Sequence, residues 1–225
     1  MATILFGSIS TLADTSELQR RAFNDAFEAY GLDWEWSRDD YAGMLGSNGG
    51  AQRIEEYAAS RGVDVDAAAV HAKKSQIFQE LLGSSSVSPR PGVVDVVEEA
   101  KRGGHGLGFV TTTSQGNIDA LLSALQPHIS AEMFDLIVNR DSVSSPKPDP
   151  EVYQFALKTL KADANDAIAI EDNVGGVSAA RAAGIPCVAF PNENTSGGDF
   201  SAADDTVDSL DATKILGLSA PDSRS

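Results

Sequence analysis

The sequence predicts an α/β protein: a doubly wound parallel sheet with a helical insertion after its first strand. Three observations predict it. Short apolar runs alternate with segments of helical periodicity. One stretch, 15–87, carries helical patterns and no strand pattern. Turns bearing hydroxyls, a lysine or carboxylates follow successive apolar runs, where such a sheet holds its ligand.

The first run, Thr-Ile-Leu-Phe at 3–6, has the unbroken apolar character of a strand buried on both faces. It ends in Gly7-Ser8-Ile9-Ser10-Thr11, which contains no group that ionises near neutrality or holds a metal. Helical spacing follows at 17–30, 52–60 and 66–82. These segments are too long a detour for a simple crossover and read as an α-helical cap. The cap exits through Ser-Ser-Ser-Val-Ser-Pro-Arg-Pro-Gly at 84–92, a hinge-like linker. The expected division is a core of 1–14 and 88–225, with 15–87 as a cap hung over the strand ends. Helix 93–102, strand 107–111, helix 117–125, strand 136–138, helix 150–160, strand 167–170, helix 174–183 and strand 187–190 complete the alternation. The tail, 219–225, reads as disordered.

Composition narrows the function. The chain has 225 residues, 42% of them hydrophobic, enough for a substantial core. A net charge of −16 without a Lys/Arg cluster argues against nucleic acid and anionic membranes as partners. It also repels anionic substrates unless a pocket is locally basic. The single cysteine, Cys187, lies in an apolar run and reads as a buried thiol. With no leader pattern and no apolar run of spanning length, the expected location is the cytoplasm. His71, His105 and His128 show no ligand spacing and read as surface or satisfied histidines; Trp34 and Trp36 read as packing residues.

The strand ends carry the chemistry. Val110-Thr111-Thr112-Thr113-Ser114 runs into a helix, which suits either a phosphate cradle or an N-cap. Lys147 stands between prolines in Ser145-Pro146-Lys147-Pro148, which aims one ammonium. Glu171-Asp172-Asn173 follows the next strand, and adjacent carboxylates there suit a hydrated Mg²⁺. Together with "ELQRRAFNDAFEAYGLDWEW", "GGAQRIEEY", "PKPDPEVY" and "IEDNVGGVSAARAAGIP", this order resembles the haloacid dehalogenase superfamily. The likeness is to its β-phosphoglucomutase-like branch, which includes Calvin-cycle sugar-bisphosphate phosphatases, and it spans nearly the whole chain. The resemblance implies a Rossmann-like core. It implies phosphate binding by Thr111, Thr112 and Lys147, Mg²⁺ binding by Asp172 and Glu171, and a sugar-phosphate grip by Arg53 and Lys74 of the cap.

The same resemblance exposes a defect. The family's first strand ends in Phe-Asp-x-Asp-Gly-Thr-Leu, whose first aspartate is the nucleophile and whose second is the acid/base. Aligning Phe6, Thr11 and Leu12 places Gly7 at the nucleophile and Ile9 at the acid/base, with Ser10 at the turn glycine. Gln19 replaces the branch's cap histidine and Ala51 its cap lysine. Losing acid/base catalysis alone costs roughly 10²–10⁴-fold in rate. Mg²⁺ should be held weakly or not at all, and without it Lys147 pairs with Asp172 or Glu171. Ser8, Ser10 and Thr11 have no base near them in sequence, and Asp14 reads as a helix cap.

The expected function is therefore a phosphatase-fold pseudoenzyme retaining an anion pocket for inorganic phosphate or a phosphorylated metabolite. The alternatives are a Mg²⁺-dependent sugar-phosphate phosphatase using direct water attack, with Glu171 or Asp172 as base, and an interaction module using the cap. The sequence names no protein partner. Another acid swung into the gap at position 7 beside an ion would overturn the inactive reading.

Overall fold

The computed structural model describes residues 1–45 and 49–218, so the expected tail at 219–225 lies outside the described residues. In chain order the elements are β1 (Thr3–Phe6), α1 (Ile9–Leu12), α2 (Ser16–Ala29), α3 (Arg38–Gly43), α4 (Gly50–Arg61), α5 (Ala67–Ser84), α6 (Val93–Arg102), β2 (Gly106–Val110), α7 (Gln115–Ala124), β3 (Leu136–Val138), α8 (Glu151–Leu160), β4 (Ala167–Glu171), α9 (Val174–Ala182), β5 (Cys187–Ala189), β6 (Asp205–Thr206) and α10 (Ala212–Leu218). The strands form one parallel sheet in the order β3-β2-β1-β4-β5-β6, so the chain reverses direction of travel across the sheet at β1.

Alternation along the strands builds two cores. Ile4 and Phe6 of β1 and Ile168 and Ile170 of β4 join α6, α7 and α10 on one face. Leu5, Ala167 and Ala169 join α8 and α9 on the other. The elements missed by periodicity are short or exposed. Helix α1 spans 4 residues, α3 spans 6, and β6 is an exposed pair at the sheet edge. Such elements give a period-2 or period-3.6 pattern no room to appear.

Helices α2 to α5 surround an aromatic core of Phe23, Phe27, Trp34, Trp36 and Tyr41. Phe27 meets Trp36 edge-on at 4.7 Å between centroids, a favoured ring geometry worth about 0.5–1.5 kcal/mol beyond burial. Side-chain bonds tie this helical layer to the strand-end loops. Arg38 pairs with Glu193 at 2.5 Å, Asn194 donates to Glu17 at 2.7 Å, and Gln79 donates to Asn117 at 3.0 Å. At the return from these helices, Arg90 donates to the carbonyls of Ser10 (3.0 Å), Phe190 (2.7 Å) and Pro191 (2.6 Å). Its guanidinium lies 3.3 Å above the Phe190 ring, and its backbone N–H bonds Leu12 O at 2.9 Å. No helix among the described residues is long and apolar enough to cross a membrane.

Candidate active site

Between the carboxyl ends of the strands and α2, α4 and α5 lies a cavity of about 390 Å³, within the range of small-ligand sites. Thr111, Thr112, Thr113 and Ser114 line it after β2, Asp172 and Asn173 after β4, and Asn192 and Thr195 after β5. The helical side contributes Gln19, Arg53, His71 and Lys74, and Arg140 enters after β3. Three cationic side chains and one carboxylate thus face the cavity of an acidic protein. This local reversal of charge favours an anionic ligand.

The floor beneath the cavity is the unexpected part. The register Phe6↔Ile170 between β1 and β4 carries Gly7 to the side of Glu171. Both continue the face that Leu5 and Ala169 occupy, against α8 and α9. A Cβ at position 7 would lie closer than 3.0 Å to Oε1 and Cδ of Glu171 and to the Tyr153 hydroxyl. The space that a side chain at 7 would need is therefore filled by another residue's carboxylate. Lys147 holds that carboxylate at 2.6 Å, and the Tyr153 hydroxyl donates to the same oxygen at 2.7 Å.

This arrangement places two of the expected ligand residues outside the cavity lining. Lys147 was expected to bind phosphate, yet it is only 4% exposed and does not line the cavity. Its ammonium donates to Gly7 O, Val110 O (2.9 Å) and Glu171 Oε1, which uses all three of its protons. Glu171 was expected to hold Mg²⁺, yet it is fully buried below the floor. Burial pushes its carboxyl upward, opposed by the Lys147 charge. Its Oε2 has no hydrogen-bond partner among the described residues and packs against Gly176. The strand's alternation explains the outcome: adjacent Glu171 and Asp172 point in different directions, and only Asp172 reaches the cavity.

Asp172 is itself occupied. It accepts from Ser8 Oγ (2.6 Å), Asn173 Nδ2 (2.9 Å) and Asn192 Nδ2 (2.8 Å). With Gly7 offering no side chain and Glu171 turned away, Asp172 is the one carboxylate among the described lining residues left to hold Mg²⁺. Among the described residues no three His, Cys, Asp or Glu side chains gather as a metal site. The Ser8 contact also gives a hydroxyl of this loop the base that its sequence neighbours lack. The fold supplies one from a residue distant in the chain.

The hydroxyl-rich turn divides its labour. Ser114 caps α7, accepting from Asn117 N–H, while Thr111 and Thr112 face the cavity. Asp14 accepts from Ser16 N–H and hydroxyl at the start of α2, as a helix-entry residue does. On the helical side, Arg53 is buried, donates to Met44 O at 3.0 Å and lies over the Phe23 and Tyr41 rings. Lys74 donates to Gln19 Oε1. His71, expected to be uninvolved, lines the cavity, with its pKa pushed down to about 4 by burial and by the neighbouring Lys74 charge. Its ring fills the space where Gly50 lacks a side chain. The available signal was its position one helical turn before Lys74. Arg140 and Asn192, also missed, sit on loops without a periodic signature.

A parallel sheet ordered this way, with ligand-facing loops at its strand ends and helices above them, is a doubly wound α/β fold. The haloacid dehalogenase-like hydrolase profile matches residues 6–190, and the chain belongs to that family. Within it, the chain is 39% identical over 224 residues to Protein CbbY of Cereibacter sphaeroides, covering 97% of each. It is 38% identical over 215 residues to Protein CbbY of Rhodobacter capsulatus, covering 94% of this chain and 95% of that one. CbbY from Rhodobacter sphaeroides in complex with phosphate superposes with a TM-score of 0.87 at 39% identity, covering 93% of this chain and 94% of that one. A mutant of that protein has been solved with xylulose-(1,5)bisphosphate at the same score, identity and coverage. By descent, this is a CbbY-like member of the haloacid dehalogenase-like hydrolase family.

Proposed function

We propose that this chain binds a phosphorylated sugar in the cavity and does not carry out the covalent phosphoryl transfer of its family. In this reading 15–87 works as a cap over a core of 1–14 and 88–225. The observation that carries the proposal is the closed Gly7–Glu171–Lys147 arrangement. The nucleophile's space holds a carboxylate that faces a lysine and a tyrosine beneath the floor, outside the cavity lining. Ile9, at the acid/base position, offers no proton.

Ligand binding is supported by the basic lining and the hydroxyls of Thr111 and Thr112. The relatives' complexes with phosphate and xylulose-(1,5)bisphosphate point to the same ligand class. Arg53 and Arg140 take the grip expected of Lys147. The test is a panel of sugar phosphates and a chromogenic phosphate ester with Mg²⁺, alongside binding by calorimetry. Binding without turnover is expected; turnover near ~1 s⁻¹, an ordinary enzyme rate, refutes the reading.

One observation favours a second reading. The Ser8 hydroxyl stands 2.6 Å from Asp172, and a hydroxyl or water activated by a carboxylate is a route to slow hydrolysis. Any such activity would be lost in Asp172→Asn, whereas a contaminating phosphatase would be unaffected by that change. Glu171 has no part in it, because it does not reach the cavity.

A further inference from the structure

We propose that Lys74 is an imine-forming residue, whose amine captures the carbonyl carbon of a phosphorylated aldose or ketose held in the cavity. The inference rests on the sugar-phosphate reading and adds the functional group that the ligand must carry.

Lys74 is 4% exposed, yet it lines the cavity. Its hydrogen-bond partner is the neutral amide of Gln19. Among the described residues no carboxylate lies within ion-pair distance of it. The charge acting on it is that of Arg53 from α4; His71 on its own α5, Arg140 after β3, Tyr41 of α3 and the Asp172 carboxylate after β4 line the same cavity. The α2 face presents Gln19 and the Phe23 ring, whose centroid is 4.7 Å from the amine, and Phe78 lies at 5.0 Å. Ring faces hold an ammonium weakly. Burial and the Arg53 charge act against that hold and bring the lysine pKa down to about 7.

An amine becomes a nucleophile when it is desolvated beside another cation, because both effects favour its neutral form. Near pH 7 its neutral fraction exceeds that of an ordinary exposed lysine by roughly 10³-fold. Attack by the nitrogen lone pair forms a C–N bond and a carbinolamine. The carbonyl oxygen then leaves as water with the two amine hydrogens, which yields the imine. No oxidant or reductant is needed. The anionic end of the same molecule is met by Arg53 and Arg140, and its hydroxyls by Thr111 and Thr112.

The experiment uses the full chain, with pyridoxal 5′-phosphate and glyceraldehyde 3-phosphate as carbonyl probes near neutral pH, followed by borohydride reduction and peptide mapping. Glycerol 3-phosphate, which carries the charge without the carbonyl, is the control. The expected result is a reduced adduct on Lys74 at more than ~10-fold the occupancy on its neighbour Lys73, in line with their neutral fractions. Glycerol 3-phosphate should raise the Tm, compete with labelling and leave no adduct. Lys74→Arg should abolish the adduct, Lys73→Arg should not, and the wild-type map stands even if the first variant unfolds. Tm shifts with no preferential Lys74 adduct would overturn the imine and leave sugar-phosphate binding intact. No Tm shift with these phosphates or with inorganic phosphate would overturn both.

Discussion

Substituting Gly7 by alanine adds one methyl group and tests the rearranged floor directly. The backbone of Gly7 is not among those with positive φ, so any cost comes from space rather than conformation. The new Cβ would meet Glu171 and Tyr153, both fully buried. Overpacking of this kind costs about 1–3 kcal/mol. Pushing Glu171 aside also strains its ion pair with Lys147 and its bond from Tyr153. Complete rupture of a buried pair costs about 3–5 kcal/mol, so a partial loss puts the total near 3 kcal/mol. For a chain of this size each kcal/mol lowers Tm by about 2–4 °C, which gives a fall of about 6–12 °C. The assay is thermal unfolding by circular dichroism of four proteins: wild type, Gly7→Ala, Glu171→Ala and the double variant. Because two of the three closest contacts are with Glu171, and the Tyr153 hydroxyl is held in place by its bond to Glu171, Gly7→Ala should cost less than half as much when Glu171 is already alanine. A Gly7→Ala Tm within ~2 °C of wild type, less than 1 kcal/mol by the same scale, would mean Glu171 does not occupy that space. Strict additivity would mean the same.

Other consequences can be measured on the same footing. Lys147→Met should lower stability by several kcal/mol, because it strands a buried carboxylate, while leaving phosphate affinity by calorimetry unchanged; Arg53→Ala should weaken that affinity instead. The depressed pKa of His71, about 4 against an ordinary 6.5, means the unfolded chain binds a proton that the folded chain refuses. Its contribution is fully present above pH 6.5 and lost as pH falls toward 4, so His71→Gln should flatten that part of the Tm–pH curve. Lys74 behaves likewise at higher pH. Its folded value near 7 lies below the ordinary 10.5, so stability rises as pH climbs through that window, and Lys74→Met should remove the rise. Gly7→Asp with Ile9→Asp should drive Glu171 out of its present position and restore measurable Mg²⁺ binding by calorimetry; no gain over wild type would show that the displaced carboxylate cannot turn back.

Much of the fold was legible because buried parallel strands are uniformly apolar and amphipathic helices are periodic. The runs at 3–6, 136–138 and 167–170 fall within a residue of β1, β3 and β4. The site was legible as a set of loops and less so as a set of directions. Glu171 and Asp172 are neighbours in sequence, so they read as a pair of ligands. Only the β1–β4 register shows that one of them lies beside Gly7 and the other beside Ser8. Lys147 was seen as a charge aimed by prolines, but not that its three protons would be consumed beneath the floor. Arg140 and Asn192 reach the cavity through loop course, which no local pattern encodes, whereas His71 was readable from its helix phase relative to Lys74.

Arg90 bears on how such a molecule can move. One planar group clasps the loop after β1, the end of β5 and the residue beyond it, at the point where the chain comes back from the helical layer. The bottom of the pocket and the root of the returning segment are thereby riveted into one piece. A swing of α2–α5 would have to pivot outside that rivet, at the entry between α1 and α2 and within the serine-rich stretch that precedes Pro89. A ligand could come and go through such a swing while the seat that receives it keeps its shape.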